Sequence, residues 1–362
     1  MVFQEAEALG SPAAPSNRGN SLLELGRDEE ALRAHQSAVE RDPHAAGALY
    51  NLALTRSRLG DWERGWAEYE ARWRFREVHR RPRVFRQPRW QGEPLNGRRL
   101  LLHAEQGLGD TIQFCRYAGM VAARGGPGTM ILQVQPEVVT LLRSLSVVKN
   151  GFAEVAEPGR KLAEFDLECP LMSLPAVFGT TVETVPWPGA YLCADAELAE
   201  QKRKRFPGAL DRLRVGIAWA GNPNYKADRQ RSTKLETLLP LLRLEGIDWI
   251  SLQKGEPARQ LELLPDGVRV ADGCSQDRDL AETAALVEKL DLVVTTDTSV
   301  AHLAGAMGKP VWILLPHFAD WRWMQRVEAT PWYPTARLFR QREPSGWAEV
   351  LERVIYELSI WK

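Results

Sequence analysis

Short runs of apolar, β-branched residues alternate with longer segments of helical period over most of this chain. The clearest case is residues 292–315, LVVTTDTSVAHLAGAMGKPVWILL. Residues 292–295 predict a buried strand, and Asp297, Thr298 and Ser299 crowd the point where a helix should begin. Gly308 and Pro310 stop that helix, and residues 311–315 open the next strand. A helix opening at a strand's carboxyl end turns unpaired N–H groups and a positive dipole end toward a crevice, which suits a phosphate. A blander reading fits the same residues: one of Thr298 and Ser299 is an ordinary cap, and His302 is a satisfied surface histidine.

Further strands are predicted at 99–103, 130–134, 165–169, 213–219, 248–252 and 268–271, with helices after the turn at 104–110 and at 136–144, 195–206 and 279–290. Two βα-alternating halves joined at the linker-like Phe206-Pro207-Gly208 imply an α/β fold: two doubly wound parallel-sheet domains facing each other, with ligands in the cleft. The turn Ala104-Glu105-Gln106-Gly107-Leu108-Gly109-Asp110 carries two glycines that let the backbone turn tightly, and Asp110 is placed to cap the following helix. Gly107 and Gly109 lack the third glycine of a dinucleotide fingerprint. A corresponding turn, Ala220-Gly221-Asn222-Pro223-Asn224, follows strand 213–219.

Ahead of these halves, residues 1–18 are rich in Gly, Ser, Pro and Ala and read as a mobile tail. Leu25-Gly26-Arg27-Asp28-Glu29-Glu30-Ala31 then aligns with Leu59-Gly60-Asp61-Trp62-Glu63-Arg64-Gly65 at a spacing of 34, with rings at His35 and Tyr69 and Asp42-Pro43 closing the first copy. The period and residue types resemble tetratricopeptide repeats. Barely two helix pairs cannot bury their own apolar faces, so they must cap against something, with the next domain the natural partner. Residues 72–89, RWRFREVHRRPRVFRQPR, hold eight arginines interrupted by Pro82 and Pro88. An extended connector is favoured over a surface for an anionic acceptor or lipid headgroups, because the prolines forbid a continuous helix.

The chain's 362 residues, 44% hydrophobic, suffice for two or three domains with real cores. Lys+Arg and Asp+Glu both number 47, which argues against a protein built mainly to hold nucleic acid. Cys115, Cys169, Cys193 and Cys274 are widely spaced, without a CxxC or a histidine ladder, so neither a zinc site nor a disulfide framework is indicated. The N-terminus lacks a basic n-region and an apolar h-region, and no apolar run reaches membrane-spanning length. A cytoplasmic protein is expected, with a peripheral position at the inner face of the membrane as the variant.

Asp297-Thr298-Ser299-Val300-Ala301-His302 resembles the D-T/S-G-x-x-H donor motif of glycosyltransferase family 9, the heptosyltransferase-like enzymes of the GT-B fold. Gly107-Leu108-Gly109-Asp110 is similar to that family's glycine-Asp turn, and Arg231-Ser232-Thr233-Lys234 to its Arg-x-x-Lys phosphate contact. The attached repeats, with HAEQGLGDTIQF, PHFADWRWM and PWYPTARLFRQ, look like bacterial tetratricopeptide proteins that carry such a module. The resemblance covers roughly residues 97–360, with one motif in each half in the right order. Ser299 departs from it, standing where heptosyltransferases usually have glycine; its hydroxyl is able to donate instead.

The resemblance implies a GT-B pair of Rossmann-like domains, residues 97–206 on the acceptor side and 207–345 on the donor side. Before them come the tail at 1–18, helical repeats at 19–75 and an Arg-rich linker at 76–96, and a C-terminal helix at 346–362 follows. It implies sugar transfer from a nucleotide-diphosphate sugar, as co-substrate and without a further cofactor, to a hydroxyl of a cell-surface glycan, lipopolysaccharide core or protein. Asp110 would take the acceptor's proton, with Glu105 and His103 the other titratable groups beside that turn. Gln106, Gly107 and Gly109 would shape the acceptor side. N–H groups at Thr298 and Ser299, with Arg231, Lys234 and His302, would stabilise the leaving diphosphate, and Asp297 would grip donor hydroxyls. Asn222 and Gln253 lie at strand ends facing the cleft and would bind phosphate or ribose. Asp277-Arg278-Asp279 matches a metal-holding DxD, but the apolar helical pattern after it favours capping, so metal-free catalysis is the consistent expectation. Two other readings stay open: a non-catalytic adaptor whose repeats hold a protein partner while the rest binds a nucleotide sugar, and a nucleotide-sugar 2-epimerase.

Overall fold

A computed structural model of the protein describes residues 14–78, 83–159, 162–187, 189–206, 211–224 and 228–361. The chain forms two compact units. One comprises the residues up to Arg86 with Ser173–Val185 and Phe318–Val327, the other Gln87–Met172, Pro186–His317 and Glu328–Lys362.

The first unit is helical: α1 (Ala14–Glu24), α2 (Asp28–Arg41), α3 (Ala46–Arg58) and α4 (Trp62–Tyr69). The 34-residue alignment maps onto equivalent positions, since Asp28 and Trp62 each open a helix. Its small residues sit where helices approach: a Cβ on Gly65 would lie 2.6 Å from Ser57 Oγ, and Ala31 is fully buried. The His35 ring lies where a Cβ on Gly19 would be, 2.2 Å from its Nε2, so the first ring position of the repeat packs onto α1. Two segments returning from later in the chain cover the helices. Trp321 packs edge-on against Trp62 and Trp66, whose Nε1 donates to the Thr180 carbonyl at 3.0 Å. Buried Arg58 pairs with Asp28 at 2.7 Å and donates to the Ala319 carbonyl.

Two expectations change here. Helix α1 already begins at Ala14, inside the stretch that composition assigned to a tail; the rest of that tail, residues 1–13, lies outside the described residues. Arg72, the first residue of the Arg-rich stretch, is fully buried, held by Glu70 and Ser173 and facing the Tyr69 ring, so it belongs to the helical core. Residues 79–82 of that stretch and 207–210 around the expected linker are outside the described residues.

The second unit carries a four-stranded and a six-stranded sheet. In the first, β1 (Arg99–His103), β2 (Thr129–Gln133), β3 (Ala153–Ala156) and β4 (Leu167–Pro170) take the order β3-β2-β1-β4. In the second, β5 (Leu213–Ala218), β6 (Ile247–Ser251), β7 (Ala271–Asp272), β8 (Leu292–Thr296), β9 (Val311–Leu315) and β10 (Ala336–Arg340) take the order β10-β9-β8-β5-β6-β7. All these pairings are parallel. Buried on both faces over most of their length, the central strands are largely apolar, as Val215, Ile217, Val293 and Val294 show. Among the described residues its α-helices longer than one turn are α5 (Leu108–Phe114), α6 (Ala118–Gly125), α7 (Pro136–Leu142), α8 (Ala196–Arg205), α9 (Leu280–Val287), α10 (Ser299–Ala306) and α11 (Trp347–Ile360).

Both sheets wind outward from their first strand and then return to its other side, so each has a topological switch point, β1/β4 in one and β5/β8 in the other. Crevices at such points receive ligands. The turns after β1, β5 and β8, where the sequence places its chemistry, all lie at them. The structure adds β3 and β10, which the hydrophobic pattern did not mark. Helix α8, expected to close the first half, packs against α9 of the second, where Lys202 reaches the Gly273 carbonyl at 3.1 Å and pairs with Asp277. No helix among the described residues is long and apolar enough to cross a membrane.

Candidate active site

The helix after the glycine-Asp turn opens three residues earlier than expected. Gly107, in extended conformation, is the N-cap of α5, and Asp110 is the third helical residue, its Oδ2 accepting from the Gly107 N–H at 2.8 Å. The carboxylate is therefore pinned inside the first turn of the helix. Gln135, just beyond β2, clamps the turn from the side: its Nε2 donates to the Gln106 carbonyl at 2.7 Å, and its Oε1 accepts from Thr111 Oγ1 at 2.8 Å. His103, at the end of β1, is 1% exposed and bonded through Nε2 to Glu168 Oε2 at 3.0 Å. Burial would raise the Glu168 pKa, but hydrogen bonds from His103 and Arg89 outweigh it and hold the carboxyl below its ordinary value. His103 thus serves the sheet as a partner of Glu168, not the cleft as a spare base.

In the second half Thr298 is the N-cap of α10, its Oγ1 accepting from the Val300 N–H at 3.3 Å, and Ser299 is the first helical residue. Asp297 and Thr298 are buried and Ser299 is half-buried. The neighbouring turn after β5 is held by two side chains. Asp228 accepts from Arg231 Nε at 3.1 Å and from Ser232 Oγ at 2.8 Å, and Ser232 Oγ accepts from the Gly221 N–H at 2.9 Å. That network lays Arg231 over Gly221, with Nη2 2.6 Å from where a Cβ would be. Asn222 is exposed, and its Oδ1 accepts from the Asn224 N–H at 3.0 Å. Lys234 is exposed and without a partner among the described residues.

Gln253 has a different task from the one expected. Its Oε1 accepts from the Trp219 and Ala220 N–H groups at 3.0 and 2.9 Å, and its Nε2 donates to the Ala220 and Lys254 carbonyls at 3.0 and 3.1 Å. All four bonding positions of the amide are spent on backbone, leaving none for phosphate or ribose. Gln253 shapes the turn that carries Asn222, as Gln135 shapes the turn that carries Asp110. Asp279 caps α9 through the Ala281 and Glu282 N–H groups at 2.9 and 3.1 Å, and Asp277 pairs with Lys202, so both acids of the DxD have structural partners.

Besides the contacts of α8 and α9, the two halves meet at a pair of motifs. Helices α5 and α10 pack side by side, and the His302 ring covers Gly109: a Cβ there would lie 2.7 Å from His302 Cδ2 and 3.3 Å from Nε2. His302 is 5% exposed, and its Nδ1 is 2.8 Å from Tyr333 Oη. Behind Tyr333 sits Arg116, 3% exposed, donating to the Gln113 and Trp332 carbonyls and to Tyr191 Oη at 2.8, 2.8 and 2.9 Å. Its guanidinium also faces the rings of Tyr191 and Tyr333, each 4.8 Å away. Burial pushes the Tyr333 phenol up to about 12 and that of Tyr191 well above its ordinary value, so both stay protonated. The sequence reading missed Tyr333, Tyr191, Arg116 and Gln135. A charged Arg116 between Cys115 and Tyr117 in an apolar helical pattern was a signal; Tyr333, 31 positions from His302, gave none.

Two doubly wound parallel sheets with their switch points in one unit define the GT-B architecture. Residues 272–315 match the family model for glycosyltransferase family 9 (heptosyltransferase). Protein FlbA of Caulobacter vibrioides is 28% identical over 365 residues, covering 93% of this chain; the chain spans 60% of that relative's length. Among solved structures, E. coli ADP-heptose lps heptosyltransferase II superposes with a TM-score of 0.52 at 14% identity, over 72% of this chain and 97% of that one. A glycosyltransferase family 9 protein from Veillonella parvula gives 0.51 at 11% identity, over 75% and 92%.

Proposed function

We propose that this protein is a glycosyltransferase that moves a sugar from a nucleotide-diphosphate donor to an acceptor hydroxyl. The observation that carries the reading is the His302 ring seated on Gly109, which brings the donor motif of one half against the glycine-Asp turn of the other. Leaving-group charge grows on a diphosphate while the acceptor loses a proton, so the reaction needs cationic or N–H groups on one side and a base on the other. The α10 N-terminus, His302, Arg231 and Lys234 supply the first, and Asp110 the second. Asp297 grips donor hydroxyls, Asn222 borders the nucleotide, and Gln106, Gly107 and Gly109 form the acceptor side. Chemistry proceeds without a metal, with these positive groups in its place. The acceptor is a glycan, lipid-linked glycan or protein.

Asp110→Asn keeps an oxygen for the Gly107 N–H, so folding should change little, yet an amide takes no proton; turnover at saturating donor should fall on the order of 10²-fold to 10⁴-fold. His302→Ala should instead weaken donor binding and raise KM. A nucleotide-sugar screen by thermal shift, followed by product mass with and without excess EDTA, tests the assignment. Near-normal turnover in Asp110→Asn, a free-sugar-nucleotide product, or activity lost in EDTA and restored by Mg²⁺ or Mn²⁺ would each overturn part of it.

A further inference from the structure

Lys254 follows β6 as Ala220 follows β5. The parallel register Ile217↔Ser251, carried three residues on, sets Lys254 level with Ala220, and the Gln253 amide holds the two there by donating to both carbonyls, at 3.1 and 3.0 Å. Gly255 then takes a φ of 74°, so the chain turns away directly after the lysine. The helical segment it enters, Glu256–Leu263, reaches the loop of the other lysine: Gln260 Oε1 accepts from the Leu235 N–H, next to Lys234, at 2.8 Å. That loop is itself tied to the end of β5, where the Thr233 N–H donates to the Trp219 carbonyl at 2.8 Å. Lysines from two different loops are thus anchored around the turn that carries Asn222.

Lys254 is half-buried, and its ammonium has neither a hydrogen bond nor an ion pair among the described residues. Glu256, two positions on, is exposed and makes no ion pair with it. Asp228, the acid beside the Asn222 turn, is engaged by Arg231 and Ser232. A cation held partly out of water without a counter-charge is unfavourable unless something brings one. We propose that Lys254 is a further donor-binding residue, its ammonium pairing with the donor's diphosphate from the β6 side of the Asn222 turn. The inference rests on the reading of the crevice as a diphosphate site and adds a residue to it. Because Arg231 already has a carboxylate partner, Lys234 and Lys254 are the two cations at this turn whose charge is left for the ligand. A lysine is a point charge on a flexible stem, which suits the spread oxygens of a diphosphate better than a single fixed geometry would.

Titration of the full chain with inorganic diphosphate, ADP, UDP and GDP tests this. Lys254→Met keeps the aliphatic stem and removes the charge, so the melting temperature without ligand should hold or rise slightly. Every probe that the unmodified protein binds should bind about 10-fold to 100-fold more weakly, the scale of one hydrogen bond to a charged group. Lys204→Met, exposed on α8, should leave affinity unchanged and so excludes a general effect of net charge. Acetylation mapped by mass spectrometry gives a second reading that needs no variant. Lys254 should be labelled in the free protein and protected at saturating diphosphate, with Lys204 labelled equally in both. Unchanged affinity in Lys254→Met, a loss that Lys204→Met matches, or Lys254 labelling indifferent to bound diphosphate each overturns the inference and leaves the reading of the crevice in place. An unmodified protein that binds none of the four probes overturns both.

Discussion

Gly109 and His302 show how one residue's absence of a side chain becomes a functional contact. Gly109 lies inside α5, where exchange for alanine ordinarily stabilises a helix by roughly 0.5–1 kcal/mol. Here the new methyl would meet His302 Cδ2 at 2.7 Å, so the ring must leave its place. Gly109→Ala should therefore melt at or slightly above the temperature of the unmodified protein while binding inorganic diphosphate about 10-fold to 100-fold more weakly, the scale of one hydrogen bond to a charged group. Calorimetry and titration on the same sample check both signs; unchanged binding would remove His302 from the site. Sequence could mark both residues as motif members. Their contact could not be read, because 193 positions separate them and only the packing of α5 on α10 closes the gap.

At the scale of elements, both halves repeat one device. A strand ends in a tight turn, and a glutamine from the loop after the adjoining strand pins that turn: Gln135 beyond β2 for β1, and Gln253 beyond β6 for β5. Turns exposed to a crevice have backbone groups that neither sheet nor helix pairs, and an amide side chain matches a donor and an acceptor at once. Gln253→Ala would leave the Trp219 and Ala220 N–H groups buried without an acceptor, a cost of about 1–3 kcal/mol. Urea unfolding should register that loss, and donor KM should rise as the turn bearing Asn222 loosens. Full stability in Gln253→Ala would mean the amide is dispensable to the turn. The hydrophobic pattern located both strands and both turns. It assigned Gln253 to the ligand because strand-end position is visible in sequence and side-chain direction is not.

For the whole molecule, the helical unit is not a module at the front of the chain. It is completed by Ser173–Val185 and Phe318–Val327, and Trp321 rests on Trp62 and Trp66. Removing residues 1–75 would strip Trp321 of both rings, so the truncated protein should aggregate rather than behave as a free transferase; a soluble, monodisperse product by gel filtration would refute this. The unit should also respond to acid. His35 is fully buried between Thr55 Oγ1 and the Ser16 carbonyl, and burial lowers its pKa to about 4 from 6.5. Between those values the unfolded chain takes a proton that the native ring refuses, so stability present above pH 6.5 falls as pH drops toward 4. At pH 5 the loss should be about 2 kcal/mol. Urea titrations at pH 7 and pH 5 measure it, and His35→Asn should remove this part of the pH dependence.

By itself the sequence determined what local chemistry decides: β-branched strands buried on both faces, a helix start within Asp297–Ser299, the glycines of the β1 turn, and the order of two βα halves. Each rests on interactions within a few residues or on a periodicity that one chain displays openly. Tertiary structure alone decided which polar groups were spent and which were presented. It used all four bonding positions of Gln253, hid His103 behind Glu168, made Asp277 the partner of Lys202 and set Trp321 on Trp62 and Trp66. It also set Arg116 and Tyr333 behind His302. The physical reason is common to all of these: a hydrogen bond is directional and short, so a polar side chain's role depends on what lies within about 3 Å of it, and for distant stretches of chain that is fixed only when the sheets and helices pack.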